Sequence, residues 1–413
     1  METSSFPLEL GSLSFIVTEA CNYDCIYCPQ KKKNRFMSLS IIEKAIDFFY
    51  PFLRTPQKSV QKKSVQQKQG FEILSSKKAP VRSVVQGGVG RRPILKKEKC
   101  NIIFYGGEPL LGLDRIKHII FYIGEKNKNQ EKDISFSMTT NGSLLDDECI
   151  KFLDHHKFNL MLSFDGLAHE IGRKKQSLDD MIELIKNIRH YPGIELTTNS
   201  VFIPDTVEYL SQSLQLIIKL GIQEPKFELS IINEWNDTAL LKLNEQLSDL
   251  KDFLVSYFKK TGTVPLSEFR EKENNKKSMF GCAGAKDRLA IAPDGELWGC
   301  YLFPDFFKDK TDTKEYQKFF LGHLEDFIEN YESILEEKLP HYQDLYQGSF
   351  YTDETFCFAC QEVEDCKVCP VSAALSDSIL LGKIPKWVCK INKLKKAIQK
   401  EFAHGVGTLF VEP

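Results

Sequence analysis

Ser12-Leu-Ser-Phe-Ile-Val-Thr18, followed two residues later by Cys21-Asn-Tyr-Asp-Cys25-Ile-Tyr-Cys28, is the stretch from which the rest of the chain can be read. Its first half is a short apolar run of strand length, and it leads straight into three cysteines spaced C-x3-C-x2-C. Three thiolates on one short loop suit three irons of a 4Fe–4S cluster and leave the fourth iron without a protein ligand. Such an open position is what a cluster needs to bind and reduce a substrate. A zinc site would need a fourth ligand, and no His lies near Cys28. Unligated thiols are the remaining reading of the spacing alone.

Outward from this loop the chain alternates. A helical face (Ile41, Ile42, Ala45, Ile46, Phe49) lies within 37–53, and strands are expected at 101–105, 134–139, 159–164, 194–202 and 226–231. Helices are expected between them at 116–123, 146–153, 178–188 and 207–220. Strands alternating with helices imply parallel β/α units. About six units fall short of a closed eightfold barrel, so the predicted fold is α/β: a partial (β/α)6 open barrel with a small C-terminal cysteine-rich α+β domain. Chemistry in such barrels sits at the C-terminal ends of the strands. Cys21–Cys28, Gly106-Gly107, Thr140-Asn141-Gly142 and Asp165-Gly166 all fall there.

The expected domains are 1–232 for the barrel, 233–281 for a helical bridge ending in an Asn274–Lys277 loop, and 282–413 for the cysteine-rich part. Residues 55–99 interrupt the first unit with a run rich in Lys, Gln, Ser and Gly, in which Glu72 and Glu98 are the only acids. It reads as a solvated flexible insertion, with a basic arm for an acidic partner or peptide as the sharper alternative. Gly87-Gly88-Val89-Gly90 within it is no phosphate loop, because no Lys-Ser/Thr pair opening a helix follows. A net charge of −2 gives no general pull toward nucleic acid or membrane. With no apolar run of about 20 residues and no signal peptide, the expected location is cytoplasmic.

Twelve cysteines are many for a reducing compartment, where clustered thiols more often bind metal than form disulfides. Seven of them lie between Cys282 and Cys389. Cys282 and Cys300 flank a hairpin turn at Ala292-Pro-Asp-Gly295, with short strands at 289–291 and 296–298. Cys357-x2-Cys360-x5-Cys366-x2-Cys369 and Cys389 follow. Paired C-x2-C units are also zinc spacing, so this half alone leaves zinc and iron–sulfur equally open. Cys100 and Cys149 fit no motif and read as plain buried residues.

The C-x3-C-x2-C loop with Tyr27 before its last cysteine, together with Tyr105-Gly106-Gly107-Glu108-Pro109 at the next strand end, resembles the radical S-adenosylmethionine (SAM) superfamily. The resemblance implies that Cys21, Cys25 and Cys28 hold a 4Fe–4S cluster whose open iron SAM chelates. Gly106, Gly107, Glu108 and Pro109 would form the motif that holds the SAM amino group. Thr140-Asn141-Gly142 and Ser163-Phe-Asp165-Gly166 with His169 and Arg173 resemble further family strand ends. They suggest Asn141 near SAM, and Ser163 and Arg173 at its carboxylate. Asn199 is a candidate for the ribose. One electron from the reduced cluster would cleave SAM and give a 5′-deoxyadenosyl radical that abstracts a substrate hydrogen.

The C-terminal pattern resembles the SPASM extension of that superfamily, and Leu321-Gly322-His323-Leu324 resembles a segment found between its cysteine groups. Carried over, Cys357, Cys360, Cys366 and Cys389 hold one auxiliary 4Fe–4S cluster, and Cys282, Cys300 and Cys369 the other. The sequence departs in two ways. Its last pair is C-x2-C rather than C-x3-C, and only three cysteines remain for the first auxiliary cluster. SPASM enzymes mostly modify ribosomal peptides or proteins, so a peptide or protein maturase is the expected function. The alternatives are a small-molecule substrate, or formylglycine formation like that of the sulfatase maturases. Those enzymes carry Asp where this chain has Tyr301, which counts against the last, although Asp305 is near. A non-catalytic metal or electron-transfer protein would leave Gly106–Pro109 unexplained. Expected partners are a peptide or protein substrate, a flavodoxin- or ferredoxin-like electron donor, and a separate leader-peptide-binding protein, since the chain starts only a few residues before its first strand.

Overall fold

The computed structural model describes residues 8–55, 99–128, 132–270, 281–345, 357–360, 362, 363, 366, 368–375, 381 and 384–407. The basic insertion and the Asn274–Lys277 loop expected from sequence lie outside the described residues.

Six parallel strands follow one another as the alternation predicts: β1 (Ser12–Thr18), β2 (Cys100–Gly106), β3 (Ile134–Thr140), β4 (Phe158–Ser163), β5 (Glu195–Phe202) and β6 (Lys226–Leu229). The helices between them are α1 (Leu39–Phe49), α2 (Leu113–Asn127), α3 (Asp147–His155), α4 (His169–Arg173), α5 (Leu178–Ile188) and α6 (Leu210–Lys219). Local chemistry sets their ends. Ser177 caps α5 by accepting from Asp180 N, while the Asp180 carboxylate accepts from Ser177 N, and Met181, Ile185 and Ile188 form the buried stripe. Asp146 caps α3 in the same way through Cys149 N.

The sheet stays open, and it is longer than six strands. Its order is β6-β5-β4-β3-β2-β1-β7-β8, where β7 (Arg288–Ile291) and β8 (Leu297–Trp298) are the hairpin predicted around Gly295. β7 runs parallel to β1, with Ser12 opposite Arg288 and Phe15 opposite Ile291. The cysteine-rich half is therefore joined to the barrel by backbone hydrogen bonds, a pairing that the hairpin pattern alone did not announce. Leu297 exchanges bonds with Leu321 and Gly322, so the Leu-Gly-His-Leu segment flanks β8.

α7 (Asp237–Thr261) packs against both α6 and α12 (Lys386–Val406) and ties the barrel to the C-terminus, helped by Lys251–Glu401 and Lys390–Asp237 ion pairs. Around the hairpin lie α8 (Leu302–Phe307), α9 (Lys314–Phe319), α10 (Leu324–Gln343) and α11 (Pro370–Ala374). Trp298, fully buried, has Phe303, Phe307, Tyr316 and Phe320 around its ring, with centroids 5.2–6.3 Å away.

The two faces of the sheet differ in chemistry. Toward the helices, Phe104, Phe136 and Phe158 stack across three strands at 5.8–6.2 Å. The alternate positions are half-buried and largely polar: Asn101, Ser135, Ser137, Asn159, Ser163, Thr197 and Asn199. Barrels of this kind are usually filled there by branched apolar side chains. Here a polar ladder crosses the concave face instead. Asn101 Oδ1 accepts from Ser135 and Ser137, and Asn159 donates to Ser137 at 3.4 Å.

Candidate iron–sulfur and SAM site

The end of β1 throws the cysteine loop over the strand tips, and glycines at the end of β2 let it sit close. Gly106 has φ +153°, and a Cβ there would lie 2.2 Å from Thr18 O. At Gly107 a Cβ would lie 2.4 Å from Ala20 O and 2.9 Å from the Cys21 Cβ. The close approach that these glycines permit is thus to the cysteine loop itself. Gly107 N and Glu108 N then donate to Thr18 O and Ala20 O.

Glu108 is buried at 1% exposure, and its carboxylate joins two strand ends. Oε1 accepts from Leu110 N and Thr140 Oγ1, and Oε2 accepts from Asn141 N at 2.8 Å. Burial pushes its carboxyl up, while the bonds from Asn141, Thr140 and Leu110 pull it back. A carboxylate offers about four acceptor positions, so one is left for an ammonium group. Asn141 reaches the other way: its Nδ2 donates to Asn22 Oδ1, its Oδ1 accepts from Ser143, and Asn22 donates to Ser143 Oγ. This network fixes the residue after Cys21 to the tip of β3.

Asp165 is the second hub and is fully buried. It accepts Arg173 Nε and Nη2 at 2.9 Å each, Val201 N at 2.9 Å and Tyr27 Oη at 2.5 Å. The Arg173 fork expected for a SAM carboxylate is therefore closed on Asp165, leaving Nη1 uncommitted. The sequence set Asp165 in a family-like strand end without giving it a partner; the structure makes it the link from β4 and β5 to the cysteine loop. Ser163 lies opposite Asn199 in the β4–β5 register, both on the concave side. Asn199 Oδ1 is buried without a hydrogen-bond partner among the described residues, an acceptor suited to a hydroxyl donor such as a ribose.

Cys21, Cys25 and Cys28 are half-buried, and burial pushes all three thiols up. A bound metal would favour the thiolate form of such thiols, as cluster iron does. The donor set thus fits a thiolate-bound cluster held by Cys21, Cys25 and Cys28.

In the C-terminal half two groups form. Cys282 and Cys369 lie close enough to Cys300 to help raise its thiol, and Cys357 and Cys360 lie close enough to Cys366 and Cys389 to help raise theirs. These are the two sets that the resemblance implied. The second four ring a cavity of about 50 Å³. Among the described residues no three His, Cys, Asp or Glu side chains converge tightly enough to grip a single metal ion.

Tyr342, which sequence reasoning passed over, positions the first set. Its hydroxyl accepts from Gly299 N at 2.9 Å and donates to Phe319 O, and its ring lies against Gly284 and Gly299, beside Cys282 and Cys300. Tyr301 stacks on Tyr105 at 4.1 Å, which brings the auxiliary half onto the tip of β2. Cys100 and Cys149 are buried, as expected.

Comparison with known proteins agrees with this geometry. Residues 93–217 match the Radical SAM superfamily profile, a stretch that begins after the cysteine loop. The radical SAM cyclopropyl synthase TigE of Paramaledivibacter caminithermalis is 19% identical over 322 residues, covering 74% of this chain and 60% of TigE. A cysteine-type anaerobic sulfatase-maturating enzyme of Clostridium novyi is 24% identical over 262 residues, 57% of this chain and 68% of that enzyme. The sulfatase-maturase structure anSMEcpe with bound AdoMet and Cp18Cys peptide superposes with TM-score 0.63 at 17% identity, over 95% of this chain and 97% of that one. Streptococcus suis SuiB bound to its precursor peptide SuiA gives 0.52 at 16%, over 93% and 76%. Residues 93–217 thus match a radical SAM domain, and the chain shares its fold with solved structures that hold AdoMet. It is similar in sequence to a sulfatase-maturating enzyme and in fold to SuiB bound to its precursor peptide.

Proposed function

We propose that the chain is a peptide- or protein-modifying radical SAM enzyme whose substrate lies across the polar concave face of the sheet. What supports this is the polar lining of that face: Ser163 and Asn199 at the C-terminal strand ends on the side of the cysteine loop, and below them, at the strand starts, the ladder Asn101–Ser135–Ser137–Asn159. An extended peptide offers amide donors and acceptors along its whole length, and this face offers hydroxyls and carboxamides in alternate rows to meet them. The cluster and SAM, when bound, would supply a one-electron cleavage and a hydrogen-abstracting 5′-deoxyadenosyl radical. The chain's own residues do the rest. Cys21, Cys25 and Cys28 hold the iron, and Glu108 offers its remaining acceptor position to the SAM ammonium. Asn199 Oδ1 takes a ribose hydroxyl, and Tyr105 with Tyr301 walls the cleft. The two C-terminal thiol groups would hold auxiliary clusters able to take up the electron left after abstraction.

That SuiB binds its precursor peptide SuiA and anSMEcpe binds the Cp18Cys peptide supports the substrate class. Formylglycine chemistry stays a second reading because one carboxyl is placed for it. Asp305, one helical turn after Tyr301, lines the small cleft with Tyr105 and Gly107, and burial pushes it up to about 6. Asn159→Leu would test the substrate reading. It should abolish peptide modification while leaving peptide-independent SAM cleavage within about twofold, since hydrogen-bonding sites lose strongly when a partner is removed. Equal loss of both, or of neither, would contradict a peptide on this face.

A further inference from the structure

The cysteine loop is followed by Gln30-Lys-Lys-Lys-Asn-Arg35, four basic residues in five, and the chain holds a second basic run at Arg173-Lys-Lys175. The fold brings the two together. Ile26 N donates to Gly172 O at 3.0 Å, and Tyr23 Oη donates to Gln176 Oε1 at 2.6 Å, so residues 170–176 lie along the outside of the loop. Asp24, the exposed acid at the loop's centre, is held by Lys32 at 2.6 Å, with Lys174 and Lys175 close enough to act on it too. Glu170, the other acid here, accepts from Leu178 N. Lys33, Lys174 and Lys175 make no ion pair among the described residues.

Apolar exposure gathers at the same place. Of the six large hydrophobic side chains exposed on the described surface, Ile26, Ile171 and Leu144 stand beside this loop, Leu144 next to the Ser143 that bonds Asn22. Scattered apolar exposure is ordinary, but a small apolar centre with a basic rim is the make-up of a docking surface.

We propose that Ile26 and Ile171, rimmed by Lys33, Lys174 and Lys175, form the face on which an acidic one-electron donor protein of flavodoxin type docks. The proposal rests on the reading that Cys21, Cys25 and Cys28 hold a reducible cluster. Asp24, Ile26 and Pro29 of the loop are themselves exposed among the described residues, so a donor seated there would meet the cysteine loop itself. In the transfer the donor loses one electron and the site of the three cysteines gains it, with no bond broken and no proton moved. Charge complementarity also steers the encounter, which makes it salt-sensitive.

The test uses the fully reconstituted protein, an acidic flavodoxin, and the triple variant Lys33→Glu/Lys174→Glu/Lys175→Glu, with Ile171→Asp as an independent second variant. Flavodoxin affinity is measured by biolayer interferometry at low and high salt. SAM cleavage is measured with flavodoxin and, separately, with dithionite, which needs no docking. The expected result is flavodoxin binding weakened by about tenfold in either variant, lost salt sensitivity in the triple variant, and dithionite-driven cleavage within about twofold of the parent. Unchanged or absent flavodoxin binding with normal dithionite turnover overturns the docking face alone. Loss of peptide modification under dithionite with flavodoxin affinity intact overturns it in favour of an acidic segment of the substrate. A parent that releases no deoxyadenosine even with dithionite overturns the cluster reading beneath it.

Discussion

Arg173→Met tests whether the Asp165 hub holds the cysteine loop. The substitution keeps an unbranched side chain but removes two of the four hydrogen bonds on a carboxylate that is fully buried. Removing one partner of a buried pair typically costs about 3–5 kcal/mol, because the other charge is left uncompensated. Tyr27→Phe removes one bond to the same carboxylate and keeps the ring, so about 1.5–3 kcal/mol is expected. The two losses should not add. Once Arg173 is gone Asp165 is already starved of partners, and coupling of about 0.5–3 kcal/mol is usual for residues sharing a partner. Asp165→Leu/Arg173→Met should recover part of the single-variant loss, but not all, because Val201 N then lacks its acceptor. The assay is urea denaturation followed by circular dichroism under anaerobic conditions, with iron content measured after desalting. A loss below about 1 kcal/mol for Arg173→Met, or strict additivity with Tyr27→Phe, would refute the hub.

Gly107→Ala places a Cβ 2.4 Å from Ala20 O, a backbone atom that cannot step aside alone. The cysteine loop must shift, so the variant is expected to lose about four irons per chain while the C-terminal sites stay loaded; full iron content would speak against the close approach. His169 is buried with neither ring nitrogen partnered among the described residues, and burial, with Arg173 adding to it, lowers its pKa from 6.5 to about 4. The unfolded chain therefore takes up this proton at a higher pH than the folded one, so the stability the group contributes is full above pH 6.5 and is lost as pH falls toward 4. The loss reaches at most about 3 kcal/mol, and His169→Phe should flatten that part of the stability–pH curve. Identical curves for parent and variant would mean that the ring is solvated.

The barrel was legible because its six strands are short apolar runs separated by helices with clear caps. Ser12–Thr18 and Leu178–Ile188 have the expected bounds. The thiol groups were legible because ligand spacing is local. What sequence could not show was long-range pairing. Nothing in Leu289–Ile291 says that its partner is β1, some 270 residues earlier, because parallel pairing carries no turn signal. Glu108, Asp165 and Arg173 were flagged by type, yet their partners come from neighbouring strands and the cysteine loop, which only the register brings together. One signal was available and missed. Polar residues recur at every second position of strands that should be apolar on both faces: Asn101, Ser135, Ser137, Asn159, Thr197 and Asn199. That alternation is the open concave face written in sequence. The short helices α8, α9 and α11 and the Tyr342 anchor escaped because brief segments in a cysteine-rich region lack enough turns to show a period.

The central claim is most directly tested by iron and sulfide analysis of the anaerobically reconstituted chain and of a Cys21→Ala/Cys25→Ala/Cys28→Ala variant, paired with dithionite-driven SAM cleavage. About twelve irons in the parent, about eight in the variant, and deoxyadenosine from the parent alone are expected for three four-iron clusters with chemistry at the first. Zinc in place of iron, or an intact reduced cluster that leaves SAM uncleaved, would contradict it.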